Sequence, residues 1–339
     1  MNVVDFFWVH FPMLTGENSG IETRHFHHIE EAIAGHPEMI DPAAPSLGAR
    51  LRLATDAVPE LAAAAVAKAI AEWGRPATDI THLVVSTNSG AGSPGADLRL
   101  AALLGLSPAV QRTMLYLHGC SAGSAALRVA KDVAENNRGA RVLVACVDVF
   151  LATVRAPEEE AAGDLGAFLA TSCAIIVGDD DDAATAASPG AGVVERPIFH
   201  MVSVSQETVP GTERAVVVEL GEGGLDVNIS AELPRLVRDG VERCLTEALA
   251  PLGLAGDGDG WNGLFWAAHP GGRAILDSYE AALGLRPGKL ASSRRVLREH
   301  GNMLGATVFF VLDDIRRRRG GEEEGGDCEW GVLLGLGRG

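Results

Sequence analysis

Runs of apolar residues alternate with helically spaced apolar positions along most of this chain. Thr113-Met114-Leu115-Tyr116-Leu117 reads as a short buried strand. After it, Ala126, Val129, Ala130, Val133 and Ala134 recur at helical spacing to about Asn137. Strand–helix alternation continues to Ala174-Ile175-Ile176-Val177, then breaks at Gly178 and the acidic run Asp179-Asp180-Asp181-Asp182. Residues 183–192 are small, polar and interrupted by Pro and Gly, a surface connection. A second alternation follows, with Ile198–Val204 and Ala215–Leu220 as expected strands and Leu233–Ala250 as a helix. Apolar strands interleaved with amphipathic helices predict an α/β fold with covered sheets, in two halves divided at residues 185/186.

Three element ends carry chemistry. Cys120 sits where the 113–117 strand turns into a helix, between Gly119 and Gly123. A helix start offers unpaired N–H groups and partial positive charge, which favour thiolate over thiol. The apolar strand Leu264–Ala268 ends at His269 and breaks at Pro270-Gly271-Gly272. Asn302 lies in the glycine-flanked turn Gly301-Asn302-Met303-Leu304-Gly305, before the apolar run Thr307–Leu312. A cysteine nucleophile, a histidine that holds it as thiolate and an asparagine amide donor form a set suited to acyl transfer. The same trio serves papain-like proteases, but the local signatures here are of another kind.

Composition narrows the class. The 339 residues exceed one ordinary core, and 47% are apolar. Five cysteines argue against a disulfide framework, leaving Cys146, Cys173, Cys244 and Cys328 as inert thiols. A net charge of −17 argues against nucleic acid and anionic membranes as partners. With no apolar-cored leader and no run long enough to span a bilayer, a cytoplasmic enzyme is expected. His25, His27 and His28 read as a polar helix start rather than a metal cluster. Arg316-Arg317-Arg318-Arg319 reads as a solvated helix end, and the sequon Asn228-Ile229-Ser230 as irrelevant without secretion. Strand alternation points His118 away from the neighbouring cysteine.

The motifs around these residues are specific. Gly119-Cys120-Ser121-Ala122-Gly123, the stretch Ala130–Val144, Ser93-Pro94-Gly95-Ala96-Asp97, His269-Pro270-Gly271-Gly272, Ala274-Ile275-Leu276-Asp277, Gly301-Asn302-Met303 and Glu329-Trp330-Gly331-Val332-Leu333 together resemble a plant type III polyketide synthase. That is the chalcone synthase superfamily of the thiolase fold. The resemblance runs from about residue 19 onward, and implies a layered αβαβα fold of two similar halves. It implies an acyltransferase of flavonoid and phenylpropanoid metabolism in which Cys120, His269 and Asn302 are catalytic. A starter acyl group moves from coenzyme A to Cys120. Malonyl-CoA then loses carbon dioxide, and the resulting enolate, stabilised by His269 and Asn302, attacks the Cys120 thioester. Coenzyme A thioesters are the substrates, and no metal or organic cofactor is implied.

The resemblance also places substrate-binding residues. Phe168 aligns with an aromatic gatekeeper, and Val227 replaces a second gatekeeper phenylalanine. Asn88, Phe150, Val218 and Leu304 stand where chalcone synthase has threonine, threonine, glycine and serine, and Ser89 and Thr153 line the same pocket. This set is similar to the curcuminoid-type synthases, which join two phenylpropanoid units, so plain chalcone formation is not expected. A homodimer is implied, with small Ser93 at the position that reaches the neighbouring site.

Three departures lead to a contrary expectation of a diverged chain, shortened at both ends. Leu14-Thr15-Gly16-Glu17-Asn18 lacks the family's phosphate-gripping cations, leaving Arg24, Arg273 and backbone near Ala274 to hold coenzyme A. Leu169-Ala170-Thr171 replaces a Gly-Asp-Gly turn, and Gly335-Leu336-Gly337-Arg338-Gly339 ends without the family's last strand. The alternative function is therefore a catalytically weak paralogue acting through dimerisation. A ketoacyl synthase-like condensing enzyme is a remoter third option.

Overall fold

The computed structural model describes residues 19–23, 25, 34–41, 44–153, 170–179, 195–254, 259–318 and 328–337. Its first sheet has the order β2-β1-β3-β4, with β1 (His82–Thr87), β2 (Gln111–Tyr116), β3 (Arg141–Val149) and β4 (Ala170–Gly178). β1 is parallel to both β2 and β3, and β4 is antiparallel to β3. Every residue of β3 is buried, as the run Arg-Val-Leu-Val-Ala-Cys-Val-Asp-Val requires of a strand covered on both faces. Thr113–Tyr116 does form a strand, but on the sheet edge. The first three residues of β2 are exposed and its last three only half-buried, so the expectation of a buried strand is not met.

The side-chain period of two divides the core. Leu83, Val85, Leu143, Ala145 and Val147 pack under α1 (Leu47–Trp73) and α2 (Ala96–Leu103). Val84, Val142, Val144 and Cys146 face the opposite way, onto α3 (Ala122–Asn136) and α7 (Thr307–Arg318). Beyond these lies β7 (Phe265–Ala268), parallel to β8 (Gly331–Leu334). Ala267 and Leu333 point back to α3 and α7, whereas Trp266, Ala268 and Val332 meet α4 (Leu233–Leu249) and α5 (Arg273–Leu283). The order helices, sheet, helices, sheet, helices is the expected αβαβα layering. Burial of each large aliphatic side chain in these layers contributes about 1.5–3 kcal/mol.

β5 (Val216–Gly221) and β6 (Gly224–Ile229) form a separate hairpin, and α6 (Ala291–His300) packs beside α7. The Arg50 guanidinium, 2% exposed, donates to the Leu151, Ala152 and Gly223 carbonyls. It ties the hairpin turn to the turn after β3. The expected strand at Ile198–Val204 is not one. Phe199 and Met201 pack on the middle layer, but Ile198, Val202 and Val204 stay exposed and the segment enters none of the sheets among the described residues. An alternating pattern supplies the buried face of a strand, not the neighbouring backbone it must pair with. Among the described residues, no helix is long and apolar enough to cross a membrane.

Candidate active site

The two middle-layer helices bring Cys120 and Asn302 together. α3 and α7 start side by side because Gly123 and Gly305 remove the side chains that would separate them. A Cβ on Gly305 would lie 2.5 Å from the Ala122 Cβ and 2.8 Å from the Gly123 nitrogen. Reciprocally, a Cβ on Gly123 would strike the Gly305 carbonyl oxygen. Cys120 occupies the single 3-10 turn Gly119–Ser121 before α3. Asn302 precedes the corresponding turn, Leu304–Ala306, before α7. Each loop contains a leucine in the left-handed region, Leu117 at φ 58° and Leu304 at φ 53°. Non-glycine residues held there store strain, which surrounding packing must offset.

The Asn302 amide is fixed in direction. Its Oδ1 accepts the Leu304 N–H at 2.9 Å, so its Nδ2 faces the Cys120 sulfur at 3.5 Å and the Gly271 carbonyl at 3.3 Å. In the thiol form, Cys120 Sγ also lies 3.8 Å from Asn302 Oδ1 as a donor. His269 caps β7 and is fully buried. Its backbone N–H donates to the Leu334 carbonyl at 2.8 Å, and neither ring nitrogen has a hydrogen-bond partner among the described residues. The Gly335 and Gly337 loop then crosses α3 so closely that a Cβ at either glycine would strike Ser124 or Ser121.

The resting electrostatics differ from the sequence expectation of a thiolate. Burial pushes the Cys120 thiol up to about 11, against the opposing Asn302 hydrogen bond, and the Asp148 carboxylate raises it further. Burial also lowers His269 to about 4. At neutral pH the pair is therefore thiol and neutral imidazole. The partial charge at the start of α3 does not outweigh desolvation, since no described backbone N–H donates to the sulfur.

Asp148 is a site residue that sequence reasoning missed. Its carboxylate accepts the Asn88 backbone N–H at 2.5 Å and Asn88 Nδ2 at 3.2 Å, with Thr87 Oγ1 at 3.5 Å. Asn88 Oδ1 in turn accepts the Gly119 N–H at 2.7 Å, one residue from the nucleophile. Burial raises Asp148 to about 6, only partly offset by these donors. Its signal was legible as a lone carboxylate inside the apolar run of β3. Tyr279 on α5 was missed as well. It is 2% exposed, its hydroxyl has no partner among the described residues, and such a group costs about 1–3 kcal/mol.

The expected substrate residues separate into groups. Asn88 and Ser89 are bonded inward, Ser89 Oγ accepting the Val149 N–H at 2.6 Å. Thr153 donates to the Phe150 carbonyl at 3.2 Å in the turn after β3. Val218 and Val227 are cross-strand partners on the hairpin. Leu304 holds Asn302, and Ala274 is exposed at the start of α5, its carbonyl accepting from Ser278. An open groove of 2410 Å³ is lined by Val218, His118, Ser121, Thr171, Met303 and Tyr279 among others, but by none of the catalytic trio. The groove runs beside the trio rather than containing it. Hydrogen-bond geometry, not this groove, therefore marks the site.

Phe168, Arg24 and residues 14–18 lie outside the described residues, as do His27, His28 and Arg319. Thr171 donates to Met303 Sδ at 3.4 Å, so the start of β4 touches the Asn302 loop. His25 stacks on His300 and contacts the Glu299 carbonyl, and no potential metal cluster occurs among the described residues. Arg316 pairs with Glu72 and Asp313 instead of being merely solvated. All five cysteines are free.

Residues 13–181 match the chalcone and stilbene synthase N-terminal domain, and residues 200–339 the C-terminal domain. The chain is also similar to a bisdemethoxycurcumin synthase of Oryza sativa subsp. japonica, with 52% identity over 328 residues. That covers 95% of this chain and 79% of the relative.

Proposed function

The chain belongs to the chalcone and stilbene synthase family, and from that premise we propose that Cys120, His269 and Asn302 carry its reaction. It is a type III polyketide synthase, an acyltransferase that condenses an acyl-CoA with malonyl-CoA. The observation that carries the assignment is the Asn302 amide, locked by Leu304 with Nδ2 3.5 Å from the Cys120 sulfur.

Because the resting sulfur is a thiol, loading begins with its proton passing to His269. The sulfur attacks the starter thioester carbonyl, a C–S bond forms, and departing coenzyme A takes the proton back from His269. Malonyl-CoA then binds, its C–C bond breaks, carbon dioxide leaves, and the electron pair remains as an enolate. The N–H donors of His269 and Asn302 converge on that negative charge. The enolate attacks the Cys120 thioester, forming a C–C bond and returning the sulfur as thiolate. Burial strengthens each of these interactions because water does not compete. Coenzyme A thioesters supply the activation, so the reading requires no further cofactor.

The starter in this reading is a phenylpropanoid-CoA, supported by likeness to a relative named for a curcuminoid product. Val218 and Val227, paired across the hairpin, and Phe150 and Thr153, in the turn that Arg50 fastens to it, form the wall that sets product size. Phe168 as gatekeeper, the domain division at 185/186, a cytoplasmic setting and a homodimer belong to the same reading. Exposed Arg273 and the Ala274 backbone are its coenzyme A contacts. The contact between Cys120 and Asn302 supports catalysis over the weak-paralogue alternative. Purified protein given labelled malonyl-CoA and a panel of aryl and aliphatic acyl-CoAs should release labelled polyketide with an aryl starter on Cys120. Failure of every starter to load would overturn it, and light scattering at micromolar concentration would test the dimer.

A further inference from the structure

One row of side chains runs across the first sheet from the Cys120 loop to the Asn302 loop. Asn88, just after β1, accepts the Gly119 N–H at 2.7 Å, beside Cys120. Its Nδ2 donates to Asp148 of β3 at 3.2 Å. Thr171 of β4 is the cross-strand partner of Asp148, so the two side chains stand on the same face of the sheet. The Thr171 hydroxyl then donates to Met303 Sδ at 3.4 Å, and Met303 directly follows Asn302. Both ends of that bond are closed to solvent, Thr171 at 4% exposed and Met303 at 3%.

Three hydrogen bonds hold the Asn302 loop from within its own half of the chain. The Met303 N–H donates to Thr307 Oγ1 at 2.8 Å, the Leu304 N–H to Asn302 Oδ1 at 2.9 Å, and Asn302 Nδ2 to the Gly271 carbonyl at 3.3 Å. These orient the amide inside its loop, but they do not set the loop against the half that carries Cys120. The bond from Thr171 crosses between the halves. A glycine, which the Gly-Asp-Gly pattern has at this place, could not make it. We propose that Thr171 is a positioning residue for the reaction, its hydroxyl acting through Met303 to hold the Asn302 amide at its distance from the Cys120 sulfur. A thioether is a weak acceptor, so the bond supplies direction more than strength.

The inference rests on Cys120 and Asn302 acting together, but its first readout needs neither coenzyme A nor turnover. Iodoacetamide alkylation of Cys120, followed by peptide mass spectrometry from pH 7 to pH 11, senses the donor that Asn302 Nδ2 offers the sulfur. Valine keeps the branched shape that suits a strand and lacks the hydroxyl. In Thr171→Val, labelling at pH 8 should fall about three-fold and the profile should move to higher pH. Thr171→Ser keeps the donor and should restore the wild-type profile. Met303→Leu removes the acceptor without touching the strand and should give the same loss as valine. The double variant should lose no more than either single one, because both remove one interaction. An unchanged profile in Thr171→Val, a serine that restores nothing, or losses that add in the double variant would each overturn the proposal. Malonyl-CoA decarboxylation, measured on the same proteins, separates this proposal from the function it rests on. A wild type that does not decarboxylate, with the labelling pattern as expected, condemns the polyketide reading and leaves Thr171 standing. An active wild type whose variants label as it does has the reverse meaning.

Discussion

The two sides of the candidate site are built on opposite principles. On the N-terminal side, Asp148, Asn88, Thr87, Ser89 and Gly119 form a closed hydrogen-bond network in which each named side chain has a partner. On the C-terminal side, the ring nitrogens of His269 and the hydroxyl of Tyr279 are buried with none among the described residues. Satisfied polar networks rigidify, whereas unsatisfied groups hold unused capacity to bind. The first side is thus a frame that fixes where the Cys120 loop sits. The second is the face on which transferred protons and new charge are received. Asn302 joins them, its oxygen held by its own loop and its nitrogen turned to the sulfur.

Removing the sulfur breaks the comparison most completely. Cys120→Ala should abolish acyl-enzyme formation in intact-mass spectrometry while leaving the frame folded, because Cys120 is not among its bonds. A variant that still gained the starter mass would remove the nucleophile from this position.

The next test separates the sides by pH. Unfolded, a histidine binds its proton below about pH 6.5, but folded His269 does so only below about 4. Between those values the unfolded state holds the extra proton, so stability is lost as pH falls, by about 3 kcal/mol. Asp148 runs the other way. Its folded value of about 6 lies above the reference of 3.8, so its contribution is complete below about pH 4. That contribution is lost as pH rises toward 6, again by about 3 kcal/mol. In wild type the two slopes oppose each other. Relative to wild type, His269→Gln should lose stability between pH 4 and pH 6, and Asp148→Asn should gain it, in denaturant titrations. Equal pH dependence in all three proteins would show that neither group is perturbed.

A subtler break acts where the sides meet. Gly305→Ala places a methyl against Ala122 and the Gly123 backbone, so α3 and α7 must shift apart. Overpacking of this kind costs about 1–3 kcal/mol. Widening the Asn302–Cys120 gap should lower malonyl-CoA decarboxylation about ten-fold or more, with starter loading less affected. Equal loss in both half-reactions would mean that the asparagine serves the thiol rather than the enolate.

Much of the layered fold was legible because apolar runs and helical spacing describe burial directly. α3, α4 and β5 fell where the pattern placed them, and the element ends at Cys120, His269 and Asn302 were visible as glycine-flanked interruptions. Pairing was less legible. Ile198–Val204 has a strand's alternation, yet joins none of the sheets among the described residues, since strand pairing is chosen by tertiary context. The frame was hidden for a related reason. Asn88 looked like a cavity residue in the resemblance, and only the fold reveals that Asp148, sixty positions away, turns it inward. The protonation state was hidden too, because helix position argues for thiolate while the depth of burial, unseen in sequence, argues against it.

The smallest expected effect asks whether the frame is electrostatically silent. At pH 8 Asp148 is ionised, and its charge is one of the causes that raise the Cys120 thiol. Asparagine at this position keeps the planar shape and an oxygen to accept the Asn88 N–H, but removes the charge. Asp148→Asn should therefore lower the thiol's apparent value and speed iodoacetamide labelling of Cys120 at pH 8 by ~3-fold, as followed by peptide mass spectrometry. The gain should shrink below about pH 6, where wild-type Asp148 takes up its own proton and the two proteins carry the same charge. Slower labelling would mean that the carboxylate's hold on Asn88 and Gly119 matters more to the sulfur than its charge does. The frame would then act on the nucleophile through geometry alone.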